Sequence, residues 1–152
     1  MTFVLGGAAS GKSAFAENVI INSGLIPVYL ATARIWDAEI KDRVKVHRDR
    51  RDAAWINFEA THDLAHVLCE RDASEAVLID CATMWLTNHV MDECAAPVVI
   101  VSNELGQGIV PADADTRAFR EAQGRLNIAL AARADTAIQV VAGLPNVLKG
   151  SL

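Results

Sequence analysis

The sequence predicts an α/β protein: an open, mostly parallel sheet with helices on both faces. Three observations carry this. Short apolar runs alternate with longer amphipathic ones, the runs are too continuously apolar for a sheet with one wet face, and the first breaks into glycines directly before a helical pattern. With 152 residues, 52% of them apolar, the chain can bury one sizeable core. No Pro/Gly/Ser-rich stretch divides it, so a single domain over residues 1–152 is expected.

Taken in order, residues 2–5, 27–31, 76–80, 97–102 and 136–142 read as buried parallel strands. Residues 12–22, 36–51, 62–70, 83–93 and 113–133 carry helical patterns, several behind a Ser, Thr or Asp of N-cap type. Between Asp80 and Pro97 the chain has just enough residues to leave one strand, form a helix and return to a parallel neighbour. In 113–133, Phe119, Leu126 and Leu130 fall on the face expected to cover the core. Residues 140–145 read as a last strand breaking into a turn.

A net charge of −5 and a pI near 5.3 argue against a nucleic-acid or anionic-membrane partner, which a basic face would meet. The three cysteines, Cys69, Cys81 and Cys94, are odd in number and lack CxxC spacing, so buried reduced thiols are expected. No leader peptide and no apolar stretch of roughly 18 residues occurs. A soluble, cytoplasmic protein without a membrane span is the expectation.

Residues 6–13, GGAASGKS, match G-x-x-x-x-G-K-[ST] between a strand and a helix. Such a turn, a P-loop, wraps an anion in backbone N–H groups at the positive end of the following helix. Lys12 would reach the outer phosphates, and the Ser13 hydroxyl would ligate Mg²⁺. The fold class is thereby sharpened to P-loop NTPase-like. Asp80, ending an apolar run, is the candidate carboxylate for the metal shell, or else an N-cap for the helix that follows.

In the charged segment 36–51, His47 stands among lysines and arginines. A local anion such as a nucleotide phosphate would explain such a basic cluster in an acidic protein, and neighbouring cations favour the neutral imidazole that attacks phosphorus; a solvated helix face is the alternative. His62, His66 and His89 form no ligand set that would make zinc credible. The triplet Ser102-Asn103-Glu104 follows a buried strand into a Gly-interrupted loop, where loops beyond strand carboxyl ends line the ligand crevice.

These segments together resemble the bifunctional adenosylcobinamide kinase and adenosylcobinamide-phosphate guanylyltransferase family of cobalamin biosynthesis. The resemblance spans essentially the whole chain. It is carried by GGAASGKS at 6–13, YLATA at 29–33, D-x-E-I-x-x-R-V-x-x-H-R at 37–48, LIDCATMWLTN at 78–88, VSNELGQGIVP at 101–111, FREAQGRLN at 119–127 and VVAGLP at 140–145. It implies a kinase step on adenosylcobinamide with ATP or GTP, then transfer of GMP from GTP to the resulting phosphate through a GMP-histidine, which by motif is His47. The implied nucleotide contacts are Gly6, Gly7, Ala8, Ala9, Ser10, Gly11, Lys12 and Ser13, then Ala31, Thr32, Ala33, Arg48, Asp49, Arg50, Arg51, Glu59 and Asp80. A homotrimer is implied as well. Two departures stand out: residues 88–97 are shorter than the family pattern, and Ala9 takes a position that often carries a basic residue. A P-loop kinase without guanylyl transfer and a nucleotide-switched binding protein are the rival readings.

Overall fold

The opening apolar run forms strand β1 (Thr2–Gly6), part of a seven-stranded sheet. The computed structural model describes residues 1–32, 51, 53–59, 64–80 and 94–151. Within them lie β2 (Ile26–Ala31), β3 (Ile56–Glu59), β4 (Glu75–Asp80), β5 (Val98–Asn103), β6 (Thr136–Val141) and β7 (Leu144–Lys149), with helices α1 (Lys12–Asn22), α2 (Leu64–Cys69) and α3 (Ala114–Arg133). The spatial order is β3-β2-β4-β5-β1-β6-β7. Every pairing is parallel except β6 with β7, so the predicted open, mostly parallel α/β sheet is what forms. The predicted helix 83–93, and all of 36–51 except Arg51, lie outside the described residues, as does Cys81.

Strand side chains alternate between two cores, as the two-residue period of a strand requires. Phe3, Leu5, Val28, Leu30, Val77, Ile79 and Ile100 face one side, where Leu68 of α2 and Leu126 and Leu130 of α3 cover them. Val4, Tyr29, Leu78, Val99 and Val101 face the other, under Ala16 and Ile20 of α1. Burial on both faces explains the uninterrupted apolar runs. Among the described residues no helix is long and apolar enough to cross a membrane.

Helix α3 is fixed at both ends. The Asp113 carboxylate caps it, accepting from the Thr116 N–H at 2.7 Å. At the other end Lys149, on β7, donates its Nζ to the Ala131 and Ala132 carbonyls at 3.1 and 2.9 Å, satisfying groups that the last turn leaves without helical partners.

Three expectations are corrected. Phe119 is exposed rather than core-facing: residues 114–119 are all exposed, and the buried stripe of α3 begins a turn later, at Gln123, Leu126, Asn127 and Leu130. Cys69 is exposed, because Leu68 takes the buried side of the short α2, whereas Cys94 is half-buried; neither is in a disulfide. Strands β3 and β7 are additional to the predicted set. Both lie at sheet edges, where a strand lacks two covered faces and the continuous apolar signature that goes with them. β7 is exposed along its whole length and carries Pro145, a residue tolerated in edge strands.

Candidate functional site

The turn between β1 and α1 has the form expected of a phosphate cradle. Gly11, immediately before α1, has φ 89°, a left-handed conformation that costs glycine nothing. Lys12 and Ser13 follow as the first residues of α1, both buried. The Lys12 ammonium curls into the loop and donates to the Gly7 carbonyl at 3.1 Å. The Ser10 N–H also donates to that carbonyl, at 3.3 Å. Ala8 and Ala9 form the exposed crest, with Ala9 at φ 54°.

A second piece of chain braces the cradle from behind. Strands β6 and β7 are joined by the two-residue turn Ala142-Gly143, both with positive φ, the handedness that matches hairpin twist. The Gly143 N–H donates to the Ser10 carbonyl at 2.8 Å. A side chain on Gly6 would stand 2.7 Å from the Val140 carbonyl, and one on Gly11 would stand 3.1 Å from Gly143 Cα. The VVAGLP segment is thus the wall against which the cradle glycines pack.

Across the carboxyl edge of the sheet, register aligns the other predicted contacts. Ala31 of β2 is opposite both Glu59 of β3 and Asp80 of β4. Asp80 is in turn opposite Val101 of β5, which is opposite Val4 of β1. Asp80 therefore lies two strand spacings, about 10 Å, from β1, on the same edge as the cradle. Thr32, just beyond β2, is buried. Ala33, His47, Arg48, Asp49 and Arg50 lie outside the described residues.

Arg51 is described, and it points inward. Its side chain is 5% exposed, its Nη1 stands 3.5 Å from Glu17 Oε1 of α1, and its Cζ stands 3.4 Å over the Tyr29 ring. Tyr29 meets Trp55 edge-on at 6.5 Å between centroids. Burial, and then the Asp80 carboxylate, push the Tyr29 phenol far above its ordinary range, with Arg51 pulling the other way, so the ring carries a neutral hydroxyl. Sequence reasoning missed this cluster. A signal was present, since Glu17 follows Ser13 by one helical turn and so sits on the buried stripe of α1, where an unpaired carboxylate would be costly.

The Ser102-Asn103-Glu104 triplet splits its duties. Ser102, fully buried, donates to Asn127 Oδ1 at 2.7 Å and accepts from Gln123 Nε2 at 2.8 Å, while Asn127 Nδ2 donates to the Asn103 carbonyl at 3.0 Å. Glu104 donates its N–H to the Gly6 carbonyl at 3.0 Å, tying the end of β5 to the entry of the cradle. Ser102 anchors α3 to the sheet and does not face the crevice. Residues 105–110 beyond it are exposed, and Arg120 reaches back from α3 to their carbonyls at Gly108 and Ile109.

The sequence matches the cobinamide kinase / cobinamide phosphate guanyltransferase (CobU) family over residues 2–96 and 89–148. A bifunctional adenosylcobalamin biosynthesis protein of Pseudomonas aeruginosa (CobP) is 38% identical over 166 residues, covering 97% of this chain and 96% of the relative. The corresponding Escherichia coli protein (CobU) is 34% identical over 176 residues, covering 95% and 97%. The chain belongs to this family. Both alignments run longer than the 152-residue chain, so the relatives carry residues with no counterpart here. The two stretches matched to the family meet at 89–96, the segment that reads as short in the sequence. The family's two named activities both use nucleotide substrates, in keeping with the cradle at residues 6–13.

Proposed function

We propose that the chain phosphorylates the aminopropanol hydroxyl of adenosylcobinamide with ATP or GTP, and then transfers GMP from GTP to adenosylcobinamide phosphate, giving adenosylcobinamide-GDP and pyrophosphate. The observation that carries this reading is the braced cradle of residues 6–13, with Lys12 turned into it, in a chain of this family.

In the first step the acceptor hydroxyl loses its proton and its oxygen attacks the γ-phosphorus, while the bond to the β,γ-bridging oxygen breaks. The N–H groups of residues 7–13 and the Lys12 ammonium hold the charge that develops on the transferred and leaving oxygens. In the second, a ring nitrogen of His47 attacks the α-phosphorus of GTP and pyrophosphate leaves. An oxygen of adenosylcobinamide phosphate then attacks the same phosphorus, the P–N bond breaks, and neutral imidazole returns. Splitting the transfer into two displacements replaces one difficult step by two easier ones. Ala31, Thr32 and Ala33 would border the nucleotide, Arg48, Asp49 and Arg50 would act around the phosphates, and Glu59 and Asp80 would complete the edge.

Ser13 and Asp80 supply a hydroxyl and a carboxylate, the hard oxygen donors that Mg²⁺ takes together with phosphate and water, so the residues fit that ion. When bound, it would neutralise phosphate charge. The protein would work as a homotrimer in the cytoplasm.

Two linked assays test the reading. Adenosylcobinamide with ATP or GTP should be phosphorylated, and adenosylcobinamide phosphate with GTP should release pyrophosphate. Phosphorylation without pyrophosphate release would reduce the protein to a kinase; nucleotide-dependent binding with neither product would make it a switch.

A further inference from the structure

We propose that the Asn103 side chain reads the outermost phosphate of the nucleotide: its Nδ2 donates a hydrogen bond to a γ-phosphate oxygen of the triphosphate held by residues 6–13. The proposal rests on the reading of those residues as a phosphate cradle and adds to it a contact from a separate strand. Neither the cradle motif nor the family resemblance assigns Asn103 a part.

Three observations carry the inference, and the first is position. Asn103, the last residue of β5, is paired in register with Gly6, and the Glu104 N–H that follows it donates to the Gly6 carbonyl. Since β5 stands between β1 and β4, and Asp80 is opposite Val101, Asn103 lies between the cradle and the strand that ends in Asp80. One strand spacing, about 5 Å, separates it from the cradle's first residue.

The second is direction. Along β5, Val98 and Ile100 face α2 and α3, whereas Val99 and Val101 face α1. Ser102 keeps to the first set, bonded to Gln123 and Asn127 of α3, so Asn103 takes the α1 face. Gly6 and Asp80 fall on that face too, by alternation from Val4 and Leu78. It is the face on which the chain turns from the cradle into α1, with Lys12 and Ser13 at its start. The loop beyond β5 goes the other way, its Gly108 and Ile109 carbonyls held at 3.2 and 3.0 Å by Arg120 of α3. Asn103 itself is half-buried, within reach of a ligand in the crevice.

The third is fixation. Asn127 Nδ2 donates to the Asn103 carbonyl at 3.0 Å, while Asn127 Oδ1 accepts from Ser102 Oγ at 2.7 Å and from Gln123 Nε2 at 3.1 Å. All three side chains are buried, and Gln123 Oε1 has no hydrogen-bond partner among the described residues. Leu126 and Leu130 already pack α3 onto the sheet, and a buried network with an unmatched oxygen is a costly way to add stability. What it adds is a set place for the end of β5. Lys12 would reach the outer phosphates from one side and Asp80 would serve the metal shell from the other, so the γ-phosphate belongs between them, at Asn103. A neutral amide donor fixed there in advance meets the charge on the transferred group without rearranging.

The test compares a triphosphate with a diphosphate. In Asn103→Ala, the affinity for β,γ-imido-ATP measured by calorimetry is expected to fall about tenfold, and that for ADP to stay within about twofold. The kcat for phosphorylation of adenosylcobinamide should fall about 10²-fold in the same variant. Asn103→Asp keeps the shape of the side chain but puts an anion in place of the donor, so its loss of the triphosphate should be larger still, at an unchanged melting temperature. Equal losses for both nucleotides would overturn the proposal and make Asn103 fold support or a contact to the inner phosphates. An unchanged ratio of the two affinities in Asn103→Asp would overturn it as well. Failure of the unaltered chain to bind either of these nucleotides or GTP would overturn the cradle reading and this proposal with it, a result distinct from the other two.

Discussion

The Lys12 ammonium is held against the Gly7 carbonyl at 3.1 Å, inside a loop whose path the backbone sets. That makes the cradle sensitive to single atoms. Gly6→Ala would drive a methyl into the Val140 carbonyl, 2.7 Å from where it must sit. GTP affinity measured by calorimetry is expected to fall roughly tenfold or more, or about 1.4 kcal/mol, because the loop must shift away from its brace. Lys12→Ala leaves the loop path open but removes charge stabilisation from both transfers. Its kcat should fall about 10²- to 10³-fold in the phosphorylation and the guanylyl-transfer assays alike. At this scale the sequence was informative where chemistry demands a fixed residue order, as in residues 6–13. It was silent on the cluster of Tyr29, Glu17 and Arg51, which are separated in sequence and meet only once the sheet has formed.

Helices and strands obey simpler rules, and their stability can be predicted more directly. Leu130, 2% exposed, faces the core from α3 beside Leu126, so Leu130→Ala should cost about 2–5 kcal/mol in denaturant unfolding. Phe119, on the exposed start of the same helix, should tolerate the same change with little effect. Asp113 adds a pH dependence. Hydrogen bonds from Thr116, side chain first and then backbone, hold its carboxyl below the usual carboxylate range. Since the folded value lies below the unfolded one of about 3.9, the cap's contribution is complete above that pH and fades as pH falls through the folded value. Asp113→Ala should lower the melting temperature at pH 7, and the gap to the unaltered protein should narrow as the pH falls below about 3.9. The strands that could be read from sequence were the ones covered on both faces. β3 and β7 could not, since Ile56 and Asn57 are exposed and every residue of β7 faces solvent, so no periodic burial marks them.

For the whole molecule, sheet order decides where the chemistry sits. β1 lies between β5 and β6, so the chain leaves it for one side of the sheet through α1 and reaches the other through α3. Ligand crevices in open α/β sheets form at such reversals, beyond the carboxyl ends of the strands. The cradle, Ala31, Asp80 and the end of β5 all meet on that edge. The alternating pattern foretold a parallel sheet but not this order, because apolar runs record burial and carry no trace of which neighbour does the burying. Family membership supplies the two activities, and the proposed function puts both at this edge. The claim joining them is that a single cradle presents the α-phosphate of GTP to His47. Incubation with GTP labelled at the α-phosphate tests it most directly: the unaltered protein should take up label that is lost in acid and kept in alkali, and His47→Ala should take up none while still phosphorylating adenosylcobinamide. Label of the same kind on His47→Ala, or no label on the unaltered protein, would contradict the account.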